Sequence, residues 1–183
     1  MMSKIAKYLL KLWGFKITGT FPHHADKKVI IIAPHTSNWD FPLGMLVKAA
    51  EKSDVNFVAK KSLFVWPFGY FFRALGGVGV NRKKSQSFVD MNVELFNQRD
   101  KFTLQIAPEG TRKKVDNFKT SFYWIAYNAK VPLFLGKFDW KNKEVHFSDE
   151  YPLTGDIDKD MVGIYDYYRG TIGRVPEDSF LVN

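Results

Sequence analysis

Cysteine is absent from the 183 residues, which excludes disulfides, thiolate-bound metals and a cysteine nucleophile. That absence fits a reducing compartment. Acidic residues are the minority: 19 Asp and Glu stand against 27 Lys and Arg, for a net charge of +8. A surface biased in this way attracts anions, so nucleic acid, anionic lipid headgroups and phosphorylated substrates are all candidate partners. No apolar run approaches the roughly 20 residues needed to span a bilayer. The sequence also lacks an internal repeat, a low-complexity tract or a linker that would divide it. A single domain spanning 1–183 is therefore expected, large enough to bury a core without staples.

What the chain has in excess is aromatic side chains, 16% of all residues and 17 of them Phe, enough for a sizeable apolar surface or cavity beyond the core. The N-terminal segment MMSKIAKYLLKLWGFKITG is interrupted by Lys4, Lys7, Lys11 and Lys16, which argues against a signal peptide. At helical spacing Ile5, Leu9, Leu12 and Trp13 share one side with lysines flanking it. Residues 1–19 therefore read as an amphipathic segment, lying in a membrane interface or packed on the domain.

Hydrophobic periodicity alternates along the chain. Strands are predicted over Lys28–Ala33, Asn56–Lys60, Gly77–Val80, Phe102–Ala107, Val131–Gly136 and Glu144–Phe147. Helices are predicted over Trp39–Ala50, Ser85–Gln98, Thr120–Ala129 and Met161–Ile172. This alternation points to an α/β domain with a mainly parallel central sheet flanked by helices. Ligands of such sheets gather at the carboxyl ends of the strands. Three segments rich in chemistry fall there: HTSNWD after KVIIIA, NRKK after GVGV, and PEGTRKK after FTLQIA.

In the first, His35 and Asp40 are five positions apart. Imidazole titrates near neutrality and suits a general base, and a carboxylate on one ring nitrogen leaves the other free to accept a proton. The same residues also suit a helix-starting acid beside an idle histidine. In the second, Arg82 offers a planar fork for phosphate oxygens, with Lys83 and Lys84 beside it; a solvated basic patch has the same composition. In the third, Pro108 and Gly110 impose a turn that presents Glu109 and Arg112, suited to substrate hydroxyls and a phosphate, or to a turn with its own ion pair.

The order HTSNWD, GVGVNR, PEGTR, VPLF resembles the four blocks of the glycerolipid acyltransferases, among them the lysophosphatidic acid acyltransferases. The resemblance spans roughly Val29 to Gly136 and includes KKSLFVWPFGYFFRALGG, similar to the family segment that leads into the second block. It implies an acyltransferase-like fold and an O-acyltransferase moving a fatty acyl group from a thioester to a lysophospholipid hydroxyl, 1-acylglycerol-3-phosphate first. It assigns His35 as general base and Asp40 as the residue that orients it. It assigns Arg82 and Arg112 to the acceptor phosphate, Glu109, Gly110 and Thr111 to acceptor binding, and Pro132 to the block associated with acyl-donor binding or with shaping of the site. The substrate supplies the nucleophile, so Thr36 and Ser37 need not act covalently. No metal or organic cofactor is implied, only acyl-CoA or acyl-acyl-carrier protein as donor. The expected location is peripheral, on the cytoplasmic side of a membrane. Pro34 stands where many family members have Asn, and Ala107 where an aromatic or larger apolar residue is usual.

Other assignments follow from the same reading. The aromatic segment Leu63–Phe72 suits the core, a lipid-facing surface or an acyl groove, and FKTSFYWIAYNA suits the same region or a buried helix. His23, His24 and His146 read as structural or surface residues. A lyso-aminolipid is an alternative acceptor, and a non-catalytic lipid-binding relative is an alternative function. A nucleic-acid module would interleave aromatic and basic residues on one face, whereas here the aromatics cluster in apolar runs, so no nucleic-acid partner is expected.

Overall fold

The computed structural model describes residues 2–60, 65, 68–80 and 87–180. The central strand explains the arrangement of the rest. In β2 (Lys27–Ala33), every residue from Lys28 to Ala33 is buried, which requires cover on both faces. Val29, Ile31 and Ala33 enter one core, and Ile30 and Ile32 enter the other. Each fully buried Ile contributes about 1.5–3 kcal/mol, so this short strand anchors both layers.

Around it lie β1 (Lys16–Gly19), β3 (Val55–Lys60), β4 (Gly77–Val80), β5 (Phe102–Ile106), β6 (Leu133–Asp139) and β7 (Glu144–Tyr151). The order across the seven-stranded sheet is β1-β7-β6-β2-β5-β3-β4. The pairs β6–β2, β2–β5, β5–β3 and β3–β4 are parallel, and β6–β7 is antiparallel. The single α/β domain with a mostly parallel sheet matches the expected class. Gly136 in β6 lets the strands close up: a Cβ there would lie 2.3 Å from Ile32 Cδ1.

The helices are α1 (Met2–Leu12), α2 (Asp40–Glu51), α3 (Phe68–Ala74), α4 (Phe88–Asn97), α5 (Ser121–Ala129) and α6 (Ile157–Tyr168). Helices α4, α5 and α6 cover one face with Phe96, Phe122, Ile125 and Ile164. Helices α1 and α2 cover the other with Ala6, Leu10, Leu43 and Val47.

Several features differ from the sequence expectation, among them helix α3, where no helix was predicted, and β7, which runs on to Tyr151. Strand β1 was not predicted; it is short and half exposed, and its parallel pairing with β7 defines it. Helix α6 runs four residues earlier than the predicted Met161–Ile172, because Asp156 caps it by accepting from Lys159 N at 3.2 Å. The chain then turns at Gly170 (φ +74°), and Ile172 leaves the helix to accept a hydrogen bond from Trp140 N at 2.9 Å. Of the two readings given to FKTSFYWIAYNA, α5 takes the buried-helix one: Phe122, Tyr123, Ile125 and Ala126 are buried.

Candidate active site

The apolar β2 ends at Ala33, and the chain turns through Pro34 to start α2 at Asp40. The loop between them is organised by the Asp40 carboxylate, which is 4% exposed. Its Oδ2 accepts from Thr36 N at 3.0 Å and Ser37 N at 2.9 Å, and lies 3.0 Å from His35 Nδ1. Its Oδ1 accepts from the Trp140 indole at 2.7 Å. A carboxylate that only accepts requires the proton on Nδ1, which leaves Nε2 as the free basic nitrogen of His35. Burying a charge demands this kind of saturation by donors.

Strand β5 lies beside β2 in parallel, so the loops after the two strands meet. Glu109, 3% exposed, accepts from the His35 backbone N–H with both oxygens, at 3.0 and 3.1 Å. Burial pushes the Glu109 carboxyl up to about 7; the His35 N–H pulls it down, and the nearby Asp40 charge adds to the rise. The acid of PEGTR therefore fixes His35 from behind and does not point at open solvent. Gly110 takes φ +65° at the turn, and the Lys119 side chain lies against it so closely that a Cβ would be 2.6 Å from Lys119 Nζ. Thr111 and Arg112 follow on the exposed part of the loop, where Lys113 is paired with Asp178 at 3.2 Å.

His35 and Asp40 both line an apolar cavity of about 360 Å³ on the α2 face of the sheet. Its walls are mainly Ile32, Phe41, Met45, Val55, Phe57 and Phe138, with Gly44 of α2 opening space opposite Phe138. The cavity lies between α2 and the strands, and none of its lining among the described residues comes from Leu63–Phe72 or α5, where such a surface was expected. Within the aromatic segment, residues 63, 64, 66 and 67 lie outside the described residues, and Tyr70 and Phe71 of α3 are exposed.

The structure brings together His35, Asp40 and Glu109, with Gly110, Thr111 and Arg112 on the adjoining loop. Arg82, with Lys83 and Lys84, lies outside the described residues; β4, which precedes it, is at the sheet edge beyond β5 and β3. Pro132 is not brought to His35. Its carbonyl accepts from Val29 N at 3.0 Å near the start of β2, whereas His35 follows the end of that strand. Of the other histidines, His23 is exposed and 3.7 Å from Glu51, His24 packs against Phe134, and His146 is 2.9 Å from Thr18 Oγ1.

Trp140 was missed in the sequence reading. A tryptophan after a late strand carries no local signal that its indole reaches a carboxylate in another loop. The general expectation that a buried indole N–H finds a partner was the only available clue.

Comparison with known proteins gives a family and a fold. No curated protein matches the chain. Among solved structures, the chain is similar to the 1-acyl-sn-glycerophosphate (LPA) acyltransferase PlsC from Thermotoga maritima. The identity is 20%, the similarity covers 89% of this chain and 74% of that one, and the TM-score is 0.58. At that identity the likeness establishes the shared α/β architecture. The family model Acyltransferase matches residues 14–134, a stretch that holds His35, Asp40 and the Glu109–Arg112 loop. The chain belongs to the Acyltransferase family.

Proposed function

We propose that the protein transfers a fatty acyl group from acyl-CoA or acyl-acyl-carrier protein to the hydroxyl of a lysophospholipid, 1-acylglycerol-3-phosphate foremost, forming phosphatidate. The observation that carries this reading is the position of the His35–Asp40 pair on the wall of an apolar cavity. Such a cavity suits the hydrocarbon of the donor, with the thioester carbonyl beside the imidazole.

In the proposed reaction, His35 Nε2 accepts the proton of the acceptor hydroxyl as its oxygen bonds to the thioester carbonyl carbon. The tetrahedral intermediate collapses with cleavage of the carbon–sulfur bond, and the imidazolium gives its proton to the departing sulfur, so the free thiol leaves and His35 returns to its neutral form. Asp40 keeps Nδ1–H in place and opposes the positive charge that develops on the ring. Glu109 fixes the His35 backbone. Arg112 and Arg82 bind the acceptor phosphate, which suits a planar, permanently charged fork. The reaction so written uses no metal or organic cofactor.

The protein is proposed to work at a membrane surface, peripherally and on the cytoplasmic side. Among the described residues no helix is long and apolar enough to cross a membrane. Helix α1 packs on the domain through Ala6 and Leu10, while Ile5, Leu9 and Leu12 are exposed, with Lys4, Lys7 and Lys11 among them. An apolar face left open beside lysines suits a helix half-immersed in lipid.

The test is an acyl-transfer assay of the purified protein against lysophosphatidate, other lysophospholipids and a lyso-aminolipid, with CoA and carrier-protein thioesters. Phosphatidate formed fastest from lysophosphatidate supports the reading. Faster acylation of the lyso-aminolipid would reassign the acceptor, and no transfer to any acceptor would overturn the enzymatic reading.

A further inference from the structure

Beyond the residues that the family model matches, the chain returns twice to the candidate site. Trp140, Lys141 and Lys143 follow β6, and Ile172, Gly173 and Arg174 follow α6. The two stretches are joined by the Trp140 N–H to Ile172 carbonyl bond at 2.9 Å, and Val175 N donates to Thr36 Oγ1 at 3.0 Å. Between them is an open hollow of about 520 Å³, lined by Trp140, Lys141, Lys143, Ile172, Arg174 and Pro176.

Three positive charges gather there, and aromatic rings rather than counter-ions hold two of them. The Arg174 guanidinium lies 4.9 Å from the Trp140 ring centre and 5.2 Å from that of Trp39. Lys143 Nζ lies 5.0 Å from Trp140 and 4.9 Å from Phe15. Among the described residues no carboxylate pairs with Lys141, Lys143 or Arg174. Most acids close to these cations in sequence are already engaged, and Glu177, beside Pro176, is exposed and forms no ion pair with any of the three. Asp40 takes the Trp140 indole, Asp139 takes Asn142, Glu144 takes Thr18 and Lys16, and Asp178 takes Lys113. Cations stacked on rings, with no carboxylate paired to them, leave their charge for an external anion.

The rim of the hollow indicates which anion. Trp39 is 53% exposed. Trp13 touches both Trp39, at 6.0 Å between ring centres, and Trp140, at 5.5 Å. Leu9 and Leu12, exposed on α1, lie in the last turn before Trp13. Open leucines, then indoles, then unpaired cations follow the order of a bilayer surface from acyl chains to headgroup phosphates.

We propose that Lys141, Lys143 and Arg174 form a binding site for the phosphate of an anionic bilayer lipid, separate from the acceptor's site. The site adds a headgroup class and its residues to the membrane-surface reading on which it rests. It also orients the domain, because the hollow borders the His35–Asp40 loop through Trp39, Trp140 and Thr36.

The experiment is vesicle co-sedimentation of the full chain, with phosphatidylcholine alone and with phosphatidylcholine mixed with phosphatidylglycerol. The wild type should bind the anionic vesicles more tightly. Lys141→Ala, Lys143→Ala and Arg174→Gln combined should reduce that binding by roughly 100-fold and leave binding to phosphatidylcholine vesicles unchanged. Lys27→Ala, Lys101→Ala and Lys130→Ala combined remove the same charge from the opposite end of the sheet and should have a much smaller effect. A thermal melt checks that each variant is folded, and Lys143→Arg with Arg174→Lys should retain the binding. Equal losses from the two triple variants would overturn the site in favour of diffuse charge. Unchanged vesicle binding with a raised KM for the CoA donor in detergent would also overturn it, assigning the hollow to the donor's phosphates. Wild-type protein that binds both vesicle types equally would refute this site alone, whereas failure to bind either would also refute the membrane-surface reading.

Discussion

Trp140 donates its indole N–H to Asp40 Oδ1 at 2.7 Å across 100 residues of chain. The bond is buried, and it completes the donor set around a carboxylate whose other oxygen faces His35 Nδ1 and two backbone N–H groups. Through this bond the strand end after β6 takes part in fixing the base proposed for acyl transfer.

Trp140→Phe keeps the ring and deletes the donor. A hydrogen bond to a charged group is worth about 1.5–3 kcal/mol, so kcat should fall by about tenfold or more while KM for donor and acceptor changes little. Steady-state kinetics alongside a thermal melt provide the check. A lower melting temperature with kcat intact would make the indole a packing residue only.

Glu109 gives a pH signature. Burial raises its carboxyl to about 7, whereas an unfolded glutamate titrates near about 4.3. The folded form therefore holds the proton more tightly, and the contribution of this group to stability falls as pH rises from about 4.5 to about 7, then levels off. The fall amounts to roughly 3 kcal/mol. Glu109→Gln cannot ionise, so the stability difference between variant and wild type should shift in the variant's favour across that window. Denaturant unfolding at several pH values measures it, and a difference independent of pH would contradict the assignment.

Much of the fold was legible because its signals are local. The β-branched run VIII in β2 reads as a buried strand, and its alternation with helical segments pointed to the parallel sheet. The ends of β2 and β5 were correctly expected to meet, as the Glu109 bond to His35 N shows. What Glu109 does there was not legible, since a charged residue after PEG reads as exposed until burial is known. Strand β1 was hidden because its pairing with β7 spans more than 120 residues, as in Ile17 opposite Val145. Pro132 belongs to a motif by sequence order, yet its position at the start of β6 sets it at the other end of the sheet from His35. Trp140 and Arg174 were not singled out because their roles exist only through contacts between distant loops.

Gly44 opens the apolar cavity. A Cβ there would be 3.6 Å from Phe138 Cζ, an ordinary contact, so Gly44→Ala should be stabilising by about 0.5–1 kcal/mol in a helix interior. Gly44→Leu should extend into the space beside Met45 and Phe57. Its kcat/KM for long-chain donors should drop by about tenfold or more, with short-chain donors little affected. A uniform loss across chain lengths would remove the cavity as the acyl site.

Exposed leucines of α1 supply the membrane test. Deleting the helix would also strip Ala6 and Leu10 from the core, so point changes are cleaner. Leu9→Glu with Leu12→Glu should weaken vesicle binding by about tenfold or more, since each leucine buried in lipid is worth about 1.5–3 kcal/mol. Turnover of a soluble short-chain donor should be unchanged. Equal vesicle binding by the variant would reject the interfacial helix.

The most direct test of the central claim is single-turnover acyl transfer by His35→Ala beside wild type, with lysophosphatidate and a long-chain acyl thioester. Wild type should form phosphatidate and release the free thiol in equal amounts. The variant, folded to the same melting temperature, should be slower by about a hundredfold or more, the usual scale for loss of a positioned base. Transfer by His35→Ala at the wild-type rate would contradict the account.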